Sequence, residues 1–274
     1  MSVNQIVRNF IERFNTHIMI TGVIWSGKRR IKKDKEKFYK KKKCNHKKVH
    51  VIANGPSLND TLSQIGDHDD VITVNYSLKE ERIQKLHPKI HVLIDSGFAE
   101  DVNYLYQVND LKRQKIVGKI VMSQEVKKAW VRNIDDVSNI SVINTAAYLD
   151  EYKSNREKKY YENNYLAPYI QTVAVAAVYI AVQEGYSDIY LHGCDMTWIK
   201  DLIVRDDNIV CQVDNHFYDI KKENIISAFS MLEWAGAFHN AILGFCQLKR
   251  YADDEGVNIY NMSKSSMLDM FEKK

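Results

Sequence analysis

Turn-forming residues are few: three prolines and 11 glycines in 274 residues. So low a share argues against a linker-laden array and points to a compact, helix-rich body. Cysteine is nearly as sparse. Cys44, Cys194, Cys211 and Cys246 lie far apart and make no CxxC pair, so neither a structural zinc site nor a disulfide framework has support. Bare thiols suit a reducing compartment, and the cytoplasm is the expected location. No apolar run approaches the about 18 residues of a membrane span, and no signal-peptide pattern is visible. A soluble or membrane-peripheral protein is expected. Familiar nucleotide signatures are missing too. There is no GxGxxG, neither Asp95 nor Asp195 belongs to a close-spaced DxD, and Gly27-Lys28 lacks the upstream glycine of a P-loop. No repeat of fixed period is present.

Hydrophobic residues make up 45% of the chain and tyrosine alone contributes 16, enough for a sizeable core and against disorder throughout. The net charge of +4 conceals a segregation. Between Lys28 and Lys48, 13 Lys/Arg stand against two acids, a local +11 that leaves about −7 for the remainder. Ahead of this run, Val3, Ile6, Val7, Phe10, Ile11, Phe14 and Ile18 follow helical spacing, with Asn4, Gln5, Arg8, Asn9, Glu12 and Arg13 on the other face. Val23-Ile24-Trp25 reads as a short apolar turn into the basic run. An amphipathic helix followed by clustered cations fits an anionic membrane surface. Packing on the main domain, or on another copy in a homo-oligomer, is the competing expectation. Nucleic acid is disfavoured, because few aromatics interleave the lysines and the acidic body repels phosphate. Residues 1–47 are thus expected to stand apart from a second unit, 48–274.

From Val49 onward short β-branched runs alternate with helical stretches. Strands are expected at Val49–Ala53, Val71–Val74, Ile90–Ile94, Ile116–Met122, Ile140–Ile143, Ile189–His192 and Val257–Tyr260. Helices are expected near 79–86, 100–113, 124–131, 169–184 and 225–255. This rhythm predicts an α/β fold: a Rossmann-like, mostly parallel sheet with helices on both faces. The stretch 169–184 is apolar on nearly every side and is expected to be deeply buried. Residues 196–224 are polar and irregular, as a lid or binding loop would be.

In such a sheet ligands bind at the carboxyl ends of strands. Four expected strand ends carry polar or glycine residues: Asn54-Gly55-Pro56-Ser57, Asn75, Asp95-Ser96-Gly97 and Gly193-Cys194-Asp195. Gly55 lets backbone approach a ligand, and Ser57 capping the next helix would offer its N–H groups to a phosphate. An ordinary strand-to-helix turn has the same composition. Asp95 and Asp195 are suited to a divalent cation on a diphosphate, to a ribose or base, or simply to capping the next helix. In the expected lid, His216 has the titration range of a general base and Tyr218 can donate to a departing phosphate. His192, on an apolar strand, reads as a core residue.

These residues bring a family into view. The loop Ile52-Ala53-Asn54-Gly55-Pro56-Ser57-Leu58 resembles the opening motif of bacterial lipooligosaccharide sialyltransferases. It equally resembles the proteins named after the MptE-type 6-hydroxymethylpterin diphosphokinase. The likeness continues through Val74-Asn75, Leu93-Ile94-Asp95, Glu184-Gly185-Tyr186 and Asp188-Ile189-Tyr190-Leu191-His192-Gly193-Cys194-Asp195. Asn215-His216-Phe217-Tyr218 and Ile259-Tyr260-Asn261-Met262-Ser263-Lys264-Ser265-Ser266 are similar to MptE-like proteins of surface-polysaccharide clusters. The sialyltransferase branch implies an inverting, metal-independent glycosyltransferase using a CMP-activated sugar, with a glycan acceptor. Asn54, Gly55, Asn75 and Thr172 would then hold the nucleotide, His216 would be the base and Tyr218 would meet the leaving phosphate. No cofactor is required on that reading. Two departures stand out. Asp95 replaces an Asn, and Thr172-Val173-Ala174 replaces Thr-Ser-Gly. An acid at position 95 also suits a magnesium-assisted diphosphate donor, as in diphosphate transfer from ATP to a pterin alcohol. A non-catalytic nucleotide-binding or scaffolding module is a further alternative.

Overall fold

The inner strands of the main sheet carry apolar runs because neighbouring residues feed two different cores. The computed structural model describes residues 21–26, 28–29, 46–147, 155–212 and 229–274. Eight strands form one sheet: β1 (His46–Ile52), β2 (Val71–Val74), β3 (Ile90–Leu93), β4 (Lys119–Met122), β5 (Ile140–Val142), β6 (Tyr186–His192), β9 (Asn258–Asn261) and β10 (Glu272–Lys273). A separate antiparallel hairpin joins β7 (Leu202–Val204) to β8 (Val210–Gln212). The helices are α1 (Leu58–Thr61), α2 (Glu81–Gln84), α3 (Val102–Arg113), α4 (Gln124–Asn133), α5 (Asn155–Glu162), α6 (Val173–Glu184) and α7 (Met231–Asp254).

Side chains along a strand alternate between faces. Val51, Ile72, Val92 and Val121 enter one core with α6 and α7, while Ile52, Val71, Leu93 and Met122 enter another with α3 and α4. Two covered faces demand the continuous apolar runs seen in the sequence. α6 lies between the sheet and α7, and its residues from Ala174 to Glu184 are all buried. Each fully buried Val or Ile there contributes roughly 1.5–3 kcal/mol. The helix ends at Gly185, whose φ of +88° is open to glycine without steric cost.

Strand order is β10-β9-β6-β1-β2-β3-β4-β5, and every pairing in this sheet is parallel. The chain runs outward from β1 to β5, then returns to lay β6 against the other side of β1. The order therefore reverses between β1 and β6, and a crevice opens above their carboxyl ends.

Several boundaries shift for local reasons. Ile116 and Val117, expected in a strand, instead close α3 by donating to the Leu111 carbonyl at 2.9 and 3.4 Å. The segment from Tyr169 to Gln171, expected in a helix, stays outside α6, where Tyr169 N donates to Gln247 Oε1 at 2.7 Å. Part of the stretch expected to be irregular folds into the β7–β8 hairpin. Residues 21–26 are helical rather than a turn: Ile24 is 8% exposed and joins the core, whereas Trp25 is 62% exposed. Lys28 Nζ sits 5.5 and 5.4 Å from the ring centres of Tyr160 and Tyr165. The amphipathic helix expected within 1–20, and most of the basic run, lie outside the described residues. No helix among the described residues is long and apolar enough to cross a membrane.

Candidate functional site

The loops after β1 and β6 are fastened together. Ala53 N donates to the His192 carbonyl and Gly55 N to the Gly193 carbonyl, both at 2.8 Å. A Cβ on Gly55 would stand 2.5 Å from that Gly193 oxygen and collide with the Asp195 carboxylate, so only glycine fits. Gly193 itself has φ +63°. Asp195, 3% exposed, accepts from Ser57 N at 2.9 Å on one oxygen and from Ser57 Oγ on the other. Ser57 Oγ also lies 2.5 Å from Ser263 Oγ, beyond β9. Charge-assisted bonds of this kind are about twice as strong as neutral ones.

This arrangement corrects one expectation. Ser57 makes no side-chain cap on α1; its hydroxyl and its N–H both donate to Asp195 instead. The next N–H groups are used as well, Leu58 donating to Gly55, Asn59 to Pro56 and Asp60 to Ser57. A helix of four residues with its amides occupied offers nothing to a phosphate.

The crevice itself is a cavity of approximately 470 Å³. Asn54, Gly55, Pro56, Asn75, Asp95, Thr172 and Asp195 all line it, so seven residues drawn from five chain segments by sequence reasoning share one space. Ser57 stands behind the wall. His216 and Tyr218 lie outside the described residues. Sequence reasoning missed Gln171, Met196, Trp198, Asp201 and Trp234, which line the same cavity. Trp198 and Trp234 pack with ring centres 5.5 Å apart and form an aromatic wall with Phe238. No local motif marks them, since their meeting is tertiary.

Four buried polar atoms on this lining have no hydrogen-bond partner among the described residues: Asn54 Oδ1, Asn75 Oδ1, Thr172 Oγ1 and Trp234 Nε1. Leaving such atoms unpaired costs about 1–3 kcal/mol each, and a polar ligand would relieve that cost. Asn75 adopts φ +46° and Met196 φ +54°. Left-handed backbone away from glycine concentrates at functional sites. The Asn75 conformation is held by Tyr104 Oη, which donates to the Asn75 carbonyl at 2.5 Å. The amino end of α6 also reaches the cavity. Val173 and Ala174 line it, and their N–H groups have no partner among the described residues. With the Thr172 hydroxyl beside them, they leave hydrogen-bond donors at the positive end of a twelve-residue buried helix, where an anion is favoured.

The carboxylates divide by role. Asp195 is spent on Ser57. Asp95 is exposed at the rim, where one oxygen accepts from Gly97 N at 2.9 Å. Among the described residues no three His, Cys, Asp or Glu side chains converge as a metal cage. Asp95 alone fits the single carboxylate contact of a magnesium ion delivered on a diphosphate.

Three histidines support this edge of the sheet. His192, expected as core, is fully buried, and its Nε2 lies 2.8 Å from His50 Nδ1. His91 Nδ1 lies 2.9 Å from Thr73 Oγ1. Burial pushes both His91 and His192 down to about 3, and His50 is lowered chiefly by the same cause.

Solved structures similar to this chain include three transferases. Sialyltransferase CstII from Campylobacter jejuni, solved with cytidine-5'-monophosphate, is 19% identical at TM-score 0.47, covering 84% of this chain and 85% of that one. An α-2,3-sialyltransferase from the same organism is 18% identical at TM-score 0.43, over 82% and 79% of the two chains. The MAf glycosyltransferase of Magnetospirillum magneticum is 14% identical at TM-score 0.50, over 87% of this chain and 35% of that one. Of these three the last alone reaches a TM-score of 0.50, and at 14% identity its likeness is one of fold alone. No curated protein matches the sequence. A family model described as 6-hydroxymethylpterin diphosphokinase MptE-like matches residues 28–201, more than half of the chain and all of its first six strands, and the protein therefore belongs to the MptE-like family.

Proposed function

We propose that the protein is a glycosyltransferase that passes a sugar from a nucleotide donor to a bacterial surface glycan, with a CMP-linked, sialic-acid-like sugar as the favoured donor. One observation carries the reading: unpartnered Asn54, Asn75, Thr172 and Trp234 atoms surround a cavity that also receives the open amino end of α6. That end suits a phosphate. The two amide oxygens suit the exocyclic amine of a base or the hydroxyls of a ribose. A volume of approximately 470 Å³ is in the range of small-molecule and cofactor sites. The resemblance of Asn54–Leu58 and Asp188–Asp195 to sialyltransferase motifs supports a cytidine donor.

In this reading His216 removes the proton from the acceptor hydroxyl as that oxygen bonds to the anomeric carbon. The bond from that carbon to the phosphate oxygen breaks, and CMP departs with its charge met by Tyr218 and the α6 amides. The chain that carries His216 re-enters the described fold at Phe229, shortly before Trp234 on the cavity wall.

A second reading has a specific observation in its favour. The exposed Asp95 carboxylate at the rim suits magnesium-dependent diphosphate transfer from ATP to a pterin alcohol, the activity for which the family is named. Calorimetry separates the two. Metal-free binding of CMP or CDP is the expected result. ATP binding only with magnesium would favour diphosphate transfer, and no binding of either nucleotide would sink both. His216→Ala is expected to abolish turnover while donor affinity stays nearly intact; loss of donor affinity would move His216 into the nucleotide site.

A further inference from the structure

A second cavity, of approximately 420 Å³, opens over the carboxyl ends of β3, β4 and β5. Two chain segments contribute to the lining of both cavities. Asp95 lines the nucleotide cavity while its neighbours Ile94 and Ser96 line the second; Gln171 lines the first and Ile170 the second. Sequence neighbours thus line both cavities, which places the second beside the nucleotide site.

The lining has two textures. Ile94, Ile143 and Ile170 make an aliphatic floor. Ser96, Gln124, Glu125, Lys128 and Thr145 make a polar rim, and none of these five side chains has a hydrogen bond or ion pair among the described residues. The wall between is rigid. Asn144 Nδ2 donates to the Asn164 and Tyr165 carbonyls at 3.0 Å, and Ser123 Oγ accepts from Val126 N at 3.3 Å. The rim thus offers an ammonium, a carboxylate, an amide and two hydroxyls, with no net charge. A sugar ring asks for this combination, since its hydroxyls both donate and accept and its C–H face packs on aliphatic carbon. Among the described residues no aromatic ring lines the cavity, so none of them gives a planar heterocycle a ring to stack on.

We infer that this second cavity is a subsite for a sugar ring, of the donor or of the acceptor. The inference rests on the nucleotide-sugar reading above. The test uses the full chain and two variants: Thr145→Trp, which fills the cavity from its rim, and Gln124→Ala/Lys128→Ala, which strips donors without adding bulk. Calorimetry compares CMP with CMP-N-acetylneuraminic acid, and saturation-transfer NMR follows methyl β-galactoside. If the ring is the donor's, the wild type binds the CMP-sugar about tenfold more tightly than CMP, and both variants lose this advantage with CMP affinity unchanged. If it is the acceptor's, the donor advantage persists and the galactoside signal disappears in both variants. Unchanged CMP-sugar and galactoside binding in both, with CMP still bound, overturns this inference alone. A wild-type protein that binds no CMP removes the nucleotide-sugar reading, and this one with it.

Discussion

At the scale of single residues, Thr172 carries the sharpest expectation. Its hydroxyl is buried at the head of α6 with no partner among the described residues, so the free protein gains nothing from it. Thr172→Val keeps the shape and removes the unpaired group. Stability by urea denaturation is expected to hold or rise, while nucleotide affinity falls about tenfold, the worth of one lost hydrogen bond to a phosphate. A destabilised variant with unchanged affinity would make the hydroxyl structural. Such residues are placed for a ligand at the expense of the fold. Asn54, Asn75 and Asp95 were legible in the sequence because each follows a clear apolar strand, and strand ends are where this architecture binds. The task of Asp195 was not legible as such, because its partner Ser57 lies far away in the chain. Trp198 and Trp234 were invisible for the same reason.

Among the elements, the paired loops after β1 and β6 decide whether the site exists. Gly55→Ala forces a methyl group to within 2.5 Å of the Gly193 carbonyl oxygen, and backbone must move. A loss of about 1–3 kcal/mol in stability is expected from such overpacking, together with loss of nucleotide binding. Gly97→Ala is the control, because its Cβ meets only Asp95 Oδ1 at 3.4 Å; a change within about 0.5 kcal/mol is expected. A Gly55→Ala protein that folds and binds like the wild type would refute the interlock. The strands around these loops could be read ahead of the structure, since a sheet covered on both faces writes itself as β-branched runs. The β7–β8 hairpin could not. It lies off the main sheet with Ile203 and Val204 exposed, so no burial pattern marks it.

For the molecule as a whole, the buried histidines set an acid limit. In the folded state His91 and His192 stay neutral down to about pH 3, and His50 is lowered as well. In the unfolded chain each protonates near pH 6.5. Between these values the unfolded state binds more protons, so stability is full above about pH 6.5 and falls on acidification. For each such histidine the slope approaches about 1.4 kcal/mol per pH unit. Urea midpoints at pH 7.5, 6 and 5 are expected to fall progressively; a flat profile would show that these rings are protonated in the native state. The central place of β1 has a different consequence, for the growing chain. β1 bonds β2 soon after it is made, but its other edge waits for β6, more than 130 residues later. Until then a half-built sheet presents an open edge beside an uncovered apolar face, the combination that seeds misassociation. Synthesis must run past residue 192 before β1 has both neighbours, so slow translation ahead of β6 is when this protein is most exposed to aggregation.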